Sequence, residues 1–149
     1  MNRRNVILSA VAASLLSAGA IASPAFADYH AAMSEAAGQT LYSGQWTKKS
    51  FKVSGDWSII EKDGKTYIKL SSDFRTRNAP DLKIFLSPLA ASETNGSNAT
   101  QGSVLVAPLT SNSGAQTYEI PEGVDLSSFQ SVLIHCEQFS KLWSAADLA

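Results

Sequence analysis

The stretch that decides the fold is FQSVLIHCEQFSKLWSAADL, Phe129–Leu148. Within it, Ser131–Glu137 is the most strand-like run in the chain, because aliphatic and β-branched residues cluster there and suit a pleated, half-buried surface. Successive side chains of a strand point to opposite sides of the sheet. Val132, Ile134 and Cys136 therefore share one face, and Leu133, His135, Glu137 and Phe139 share the other. Cys136 follows two aliphatics, which aims it at an apolar interior. His135 is its neighbour in sequence but points the other way, so the two cannot easily hold one metal while the strand stays regular. Beyond the strand, Phe139–Leu148 is expected to be a partly apolar tail in which Leu142, Trp143 and Leu148 pack back.

Working back from this strand, the texture is one of short strands and frequent turns. Val124–Phe129 is expected to be a turn or short helix, with Asp125 placed to cap it. Gln116–Ile120 and Ser103–Ala107 read as short strands, with a turn region over Pro108–Ala115. Leu82–Ser87 alternates, Leu82, Ile84 and Leu86 against Lys83, Phe85 and Ser87. Ala90–Gly102 is rich in Ser, Asn, Thr and Gly, and is expected to be exposed and mobile. Its two Asn-x-Ser/Thr triplets read as chance matches in such a loop. Trp57–Glu61 and Thr66–Leu70 flank Lys62-Asp63-Gly64-Lys65, and Asp-Gly between two strand-like runs signals a tight hairpin. Ser72–Pro80 is a polar connection around Phe74. No internal repeat and no long helical period is present. The fold class this predicts is all-β, a single antiparallel β-sandwich over residues 41–149.

The N-terminus has a different character. Met1–Ala27 begins with Arg3 and Arg4, continues through the apolar run Val6–Ala22, and ends Ala25-Phe26-Ala27. That order is the pattern of a cleaved secretory signal. It places the mature protein in the periplasm or outside the cell, with no stable membrane insertion after cleavage. Residues 28–40 are Ala-rich and read as an arm or short helix leading into the domain. Cleavage of the 27 residues leaves 122 of 149, enough for one domain with its own core. The remaining 10 basic and 13 acidic residues give a net charge of −3. They are scattered along the sequence with no basic stripe, which excludes nucleic acid as an expected partner.

Few catalytic chemistries fit these residues. A hydrolytic triad needs a nucleophile oriented by a histidine. The mature chain offers only His30 and His135, and no Gly-x-Ser-x-Gly elbow. There is no phosphate-binding loop and no dinucleotide fingerprint. His30, Met33, His135 and Cys136 make up the inventory of a blue-copper site, but not its arrangement around one strand end. No metal site and no catalytic residue is expected, and no cofactor is identified. Trp46, Trp57, Trp143, Tyr67 and Tyr118 could line a small-molecule cleft or simply pack the sheets. With one cysteine, an internal dithiol–disulfide cycle is impossible. Cys136 is either a small buried hydrophobe or a reactive thiol, and both readings stay open.

Three pieces of the chain, Val53–Phe74, Arg77–Pro88 and Gly114–Leu148, resemble the DM-thirteen domain family, also called the electron-transfer DM domain. The most specific matches are the Pro80-Asp81-Leu82 turn into a strand and the Cys136-Glu137-x-Phe139 block. His135 stands where members usually carry an aromatic, and Ala79 where many carry Gly. The resemblance implies an extracytoplasmic β-sandwich, often joined to DOMON domains or b-type cytochromes, with a redox role centred on the shared cysteine. Here that residue is Cys136, the redox or cofactor-contacting candidate, supported by Asp73, Phe74, Pro80, Asp81, Tyr118, His135, Glu137 and Phe139. The expected function is an exported redox accessory exchanging electrons with a separate protein partner. The alternative is a non-catalytic binding or surface-attachment module, with a small-molecule ligand or none, in which Cys136 only packs. A disulfide-linked homodimer through Cys136 is a weaker third reading.

Overall fold

A computed structural model describes residues 38–149. The leader expected at 1–27, and the arm up to residue 37, lie outside the described residues. The first described strand opens at Gln39.

Among the described residues, nine strands form two antiparallel sheets. In chain order they are β1 (Gln39–Gln45), β2 (Thr47–Lys48), β3 (Asp56–Lys62), β4 (Lys65–Leu70) and β5 (Leu82–Ser87). Then follow β6 (Val104–Pro108), β7 (Gln116–Glu119), β8 (Ser131–Cys136) and β9 (Lys141–Asp147). The first sheet runs β1-β3-β4-β7 and the second β2-β9-β8-β5-β6. The all-β sandwich expected from the sequence is the fold. Among the described residues, no helix is long and apolar enough to cross a membrane.

Local chemistry accounts for the elements. The β3–β4 hairpin closes with Lys62 opposite Lys65, and its two loop residues, Asp63 (φ 52°) and Gly64 (φ 73°), are both left-handed. That is the turn whose twist matches the flanking strands, and Asp-Gly is suited to it. Asp125 caps a single 3-10 turn, Leu126–Ser128, by accepting from the Ser127 amide at 3.0 Å. The Ser127 hydroxyl, which donates to the same carboxylate at 2.7 Å, and then that amide hold the Asp125 carboxyl below the usual carboxylate range.

Alternation then builds the main core between the sheets. Trp57, Ile59, Ile68, Leu70 and Tyr118 come from the first sheet, and Leu82, Ile84, Leu86, Val132, Ile134 and Cys136 from the second. Burying each large aliphatic is worth about 1.5–3 kcal/mol, which makes this layer the main stabilising term.

Two expectations fail. Phe139–Leu148 is not a tail: Lys141–Asp147 is β9, hydrogen-bonded to β8 along its length. Its alternation is hidden by a bulge, with Ile134 opposite Ser144 but His135 opposite Leu142, so Trp143 is left over in the ladder. Leu142 and Trp143 are buried and Leu148 packs against the core.

Nor is Ala90–Gly102 exposed throughout: about half of it faces solvent, but part of it closes over the second sheet. Ala91 and Ala99 are buried with Phe85, Leu133, Leu142 and Ala145 in a second cluster on the outer face of the second sheet. Most of its polar residues are exposed, yet several also tie the segment's own turns. Thr94 Oγ1 donates to the Ala91 carbonyl (2.9 Å), Asn98 Oδ1 accepts from the Asn95 amide (2.7 Å), and Ser103 Oγ donates to the Ala99 carbonyl (2.6 Å). Asp147 anchors it to β9 by accepting from the Ala91 amide at 2.6 Å. At Gly96 the backbone comes so close to Ser140 that a Cβ would overlap its carbonyl oxygen.

Candidate functional site

Cys136 sits at the end of β8, on the inner face of the second sheet. Its ladder partners are Leu82 of β5 and Lys141 of β9. The residue is 0% exposed and belongs to the main core with Val132 and Ile134, as alternation along the strand requires. It lines none of the three described clefts, but Leu82 beside it lines one of about 400 Å³. That cleft lies between the Asn78–Asp81 turn and Pro108–Asn112, with polar and apolar side chains in equal number on its walls. Cys136 is therefore one side chain away from a crevice, with Leu82 as the wall.

The residues after Cys136 form a tight turn, closed by the Ser140 amide donating to the Glu137 carbonyl at 3.0 Å. The Glu137 amide donates to the Asp81 carbonyl at 3.2 Å, which ties the Pro80-Asp81-Leu82 turn to the end of β8. Lys83 bridges the two carboxylates, 3.2 Å from Asp81 and hydrogen-bonded to Glu137. The bond to Glu137 raises the Lys83 pKa, against burial, with Asp81 adding to the rise. Asp81, Glu137 and Cys136 thus lie at one corner, and Pro80 lines the cleft. Phe139, at the turn's tip, is 60% exposed and packs on nothing central.

His135 lies behind this corner. It is 2% exposed on the outer face, edge-on to Phe85 with ring centroids 6.1 Å apart. Its Nδ1 is buried without a hydrogen-bond partner. Burial lowers its pKa, and the charges of Glu137 and Asp81 only partly oppose that. The sheet separates His135 from Cys136, so it cannot act on the thiol directly.

The other supporting residues scatter. Phe74 is buried in the main core, and Asp73 accepts a 2.5 Å hydrogen bond from Ser71 at the surface. Tyr118 is buried on β7 with its hydroxyl 2.9 Å from Thr110 Oγ1, at the far rim of the cleft beside Leu82. Of the aromatics that could line a cleft, Trp46 does, while Trp57 and Trp143 are core. Among the described residues, no group of three or more His, Cys, Asp or Glu side chains converges to hold a metal.

Sequence reading missed what surrounds Trp143. The bulge turns its carbonyl toward residues 49–51, and the amides of Lys49, Ser50 and Phe51 all donate to it at 3.1–3.2 Å. Phe51 packs on the Trp143 ring at 4.1 Å, and the indole N–H donates to Thr76 Oγ1 at 2.9 Å. Only the aromatic residues themselves gave any signal of this. The bulge that gathers them leaves no sequence pattern.

The sequence profile described as "Electron transfer DM13" matches residues 45–148. The chain belongs to that family. The match spans β2 to β9 and includes Cys136 with the whole of its surroundings, so electron transfer is the role indicated at family level for this DM13 domain. No curated protein and no solved structure shows a significant match to the chain.

Proposed function

We propose that this DM13 domain is an exported electron-transfer accessory, working in the periplasm or outside the cell with a separate protein partner, and that its electron traffic depends on Cys136. The observation that carries the reading is the family match, combined with a sole cysteine at the corner where the family block folds together. With no second cysteine, the available chemistries are a sulfenic acid, a mixed disulfide with a partner thiol, or a group bound at the sulfur.

Each of these needs room at Sγ, and the closed fold leaves none. Cys136 therefore works through local opening, and the turn after β8 and the Leu82 wall are the parts that can yield. Segments closed by few apolar contacts open at lower free energy than the whole domain. The same burial disfavours a bridge between two copies of the chain.

A second reading is favoured by one specific observation, the complete burial of Cys136 among hydrocarbon. In it the domain is a binding or attachment module and the sulfur only fills space. Alkylation kinetics in native buffer separate the two. If Cys136 serves redox chemistry, it labels far faster than the domain unfolds, and Cys136→Ala abolishes electron exchange. Labelling that merely tracks global unfolding, together with unchanged electron exchange in Cys136→Ala, overturns the proposal and leaves the packing role.

A further inference from the structure

Charges that look scattered along the sequence are gathered in space. The described residues include ten basic side chains, and two of them, Lys65 and Lys83, have a carboxylate within 4 Å among the described residues. Of the other eight, six lie on three short segments: Lys48, Lys49 and Lys52; Arg75 and Arg77; and Lys141. None of these segments carries an acid. The rest of the described domain holds four basic against eleven acidic residues.

Contacts already described bring the three segments to one corner. The amides of residues 49–51 bond to the Trp143 carbonyl, and the Trp143 indole bonds to Thr76, between the two arginines. The Arg77 guanidinium carbon lies 5.1 Å from the Phe51 ring centre, and Lys141 Nζ lies 5.7 Å from it. Phe51 is half-buried between them, and both cations are exposed. Lys52 also borders a cleft shared with Asp56 and Asp73, which moderates the charge at that edge.

We propose that this corner is the docking surface for the acidic face of the electron-transfer partner, an inference that rests on the function proposed above. Charge complementarity selects such a partner, and the acidic remainder of the domain orients it. A flat aromatic flanked by an arginine is the kind of anchor that interface centres favour. The position suits the chemistry as well: Lys141 is the ladder partner of Cys136, and Trp143 shares its core cluster. A partner seated over Phe51 rests against β9, the strand that pairs with the one carrying Cys136. An extended polyanion or an anionic membrane fits less well, because it would also meet the acidic remainder.

The test is a titration of isotope-labelled protein, residues 28–149, with flavodoxin as an acidic redox probe at low ionic strength, read by amide chemical shifts. Shifts should be confined to residues 48–52, 75–77 and 141–143, and should fade as salt rises. The triple reversal Lys49→Glu/Arg77→Glu/Lys141→Glu should weaken binding at least about tenfold, and Arg77→Gln/Lys141→Gln, which keeps side-chain bulk, about threefold. Lys62→Glu/Lys69→Glu on the first sheet should change it less than about twofold. Equal losses in that control, shifts elsewhere, self-association through the corner, or tighter binding to duplex DNA or phosphatidylglycerol vesicles would overturn the proposal. Docking and electron transfer fail separately. If Cys136→Ala keeps both the shifts and electron exchange, the role of the sulfur falls and the surface stands. If the parent exchanges electrons without these shifts, the surface falls and the role of the sulfur stands.

Discussion

The two faces of β8 are buried almost equally, yet they are buried by different means. Inward, Val132, Ile134 and Cys136 meet side chains of a second sheet. Outward, Leu133 meets a segment with no strand in it, held in place by its own hydrogen bonds and by two alanines, and His135 stands edge-on to Phe85. A thiol loses little inside hydrocarbon, because it is a weak hydrogen-bonding group. An imidazole in the same degree of burial leaves Nδ1 unsatisfied. The inner face is therefore the stabilising one, and the outer face carries the strain of a polar ring.

The comparison breaks most visibly if both faces are truncated. Ile134→Ala should cost about 2–5 kcal/mol and Leu133→Ala the low end of that range, because the covering segment can settle into the space while the opposite sheet cannot. Denaturant unfolding of both variants decides it, and a larger loss at Leu133 would show the cover to be the stiffer wall. Next in size, Gly96→Ala should cost about 1–3 kcal/mol by forcing the cover away from Ser140. Hydrogen exchange should then speed up in the segment 88–103, with the amides of β3 and β4 unaffected.

Cys136→Ser should be worse than Cys136→Ala by about 1 kcal/mol or more, since a hydroxyl at that position has no partner. Equal stabilities would mean that the inner face is wetter than its packing shows.

The smallest effect is a pH dependence. His135 has its pKa lowered in the fold, so below the ordinary histidine value the unfolded chain binds more protons. Stability should rise as pH increases through about 6.5 and fall on acidification, until the folded protein itself takes the proton. His135→Phe should flatten that slope and raise the melting temperature at pH 5, and an unchanged slope would assign it to other groups.

The sequence disclosed the inner face and little of the outer one. Val132, Ile134 and Cys136, like Leu82, Ile84 and Leu86, alternate without interruption, and period two is a signal that residue order carries by itself. The cover is invisible to that method. Asn95, Asn98 and Thr94 carry the composition of a solvated loop, and what distinguishes them is pairing within the segment, which composition does not encode. β9 was hidden for a related reason, because the bulge at Trp143 shifts its phase midway. For the site, the family block marked Cys136, Asp81 and Glu137. The Phe51 corner has no sequence signal because its three segments are far apart in the chain and meet only through the bulge, the Ser54–Arg75 backbone bridge and the Trp143–Thr76 bond.

The place of β9 has a consequence for how the protein is made. It is the latest described strand in chain order, yet it lies inside its sheet, between β8 and β2. Until Lys141–Asp147 has been synthesised, β8 keeps an open, apolar edge, and such edges pair readily with the wrong neighbours. The second sheet cannot close before that strand exists. A cell making this protein must hold the nascent polypeptide apart from its siblings until the ribosome has finished that strand.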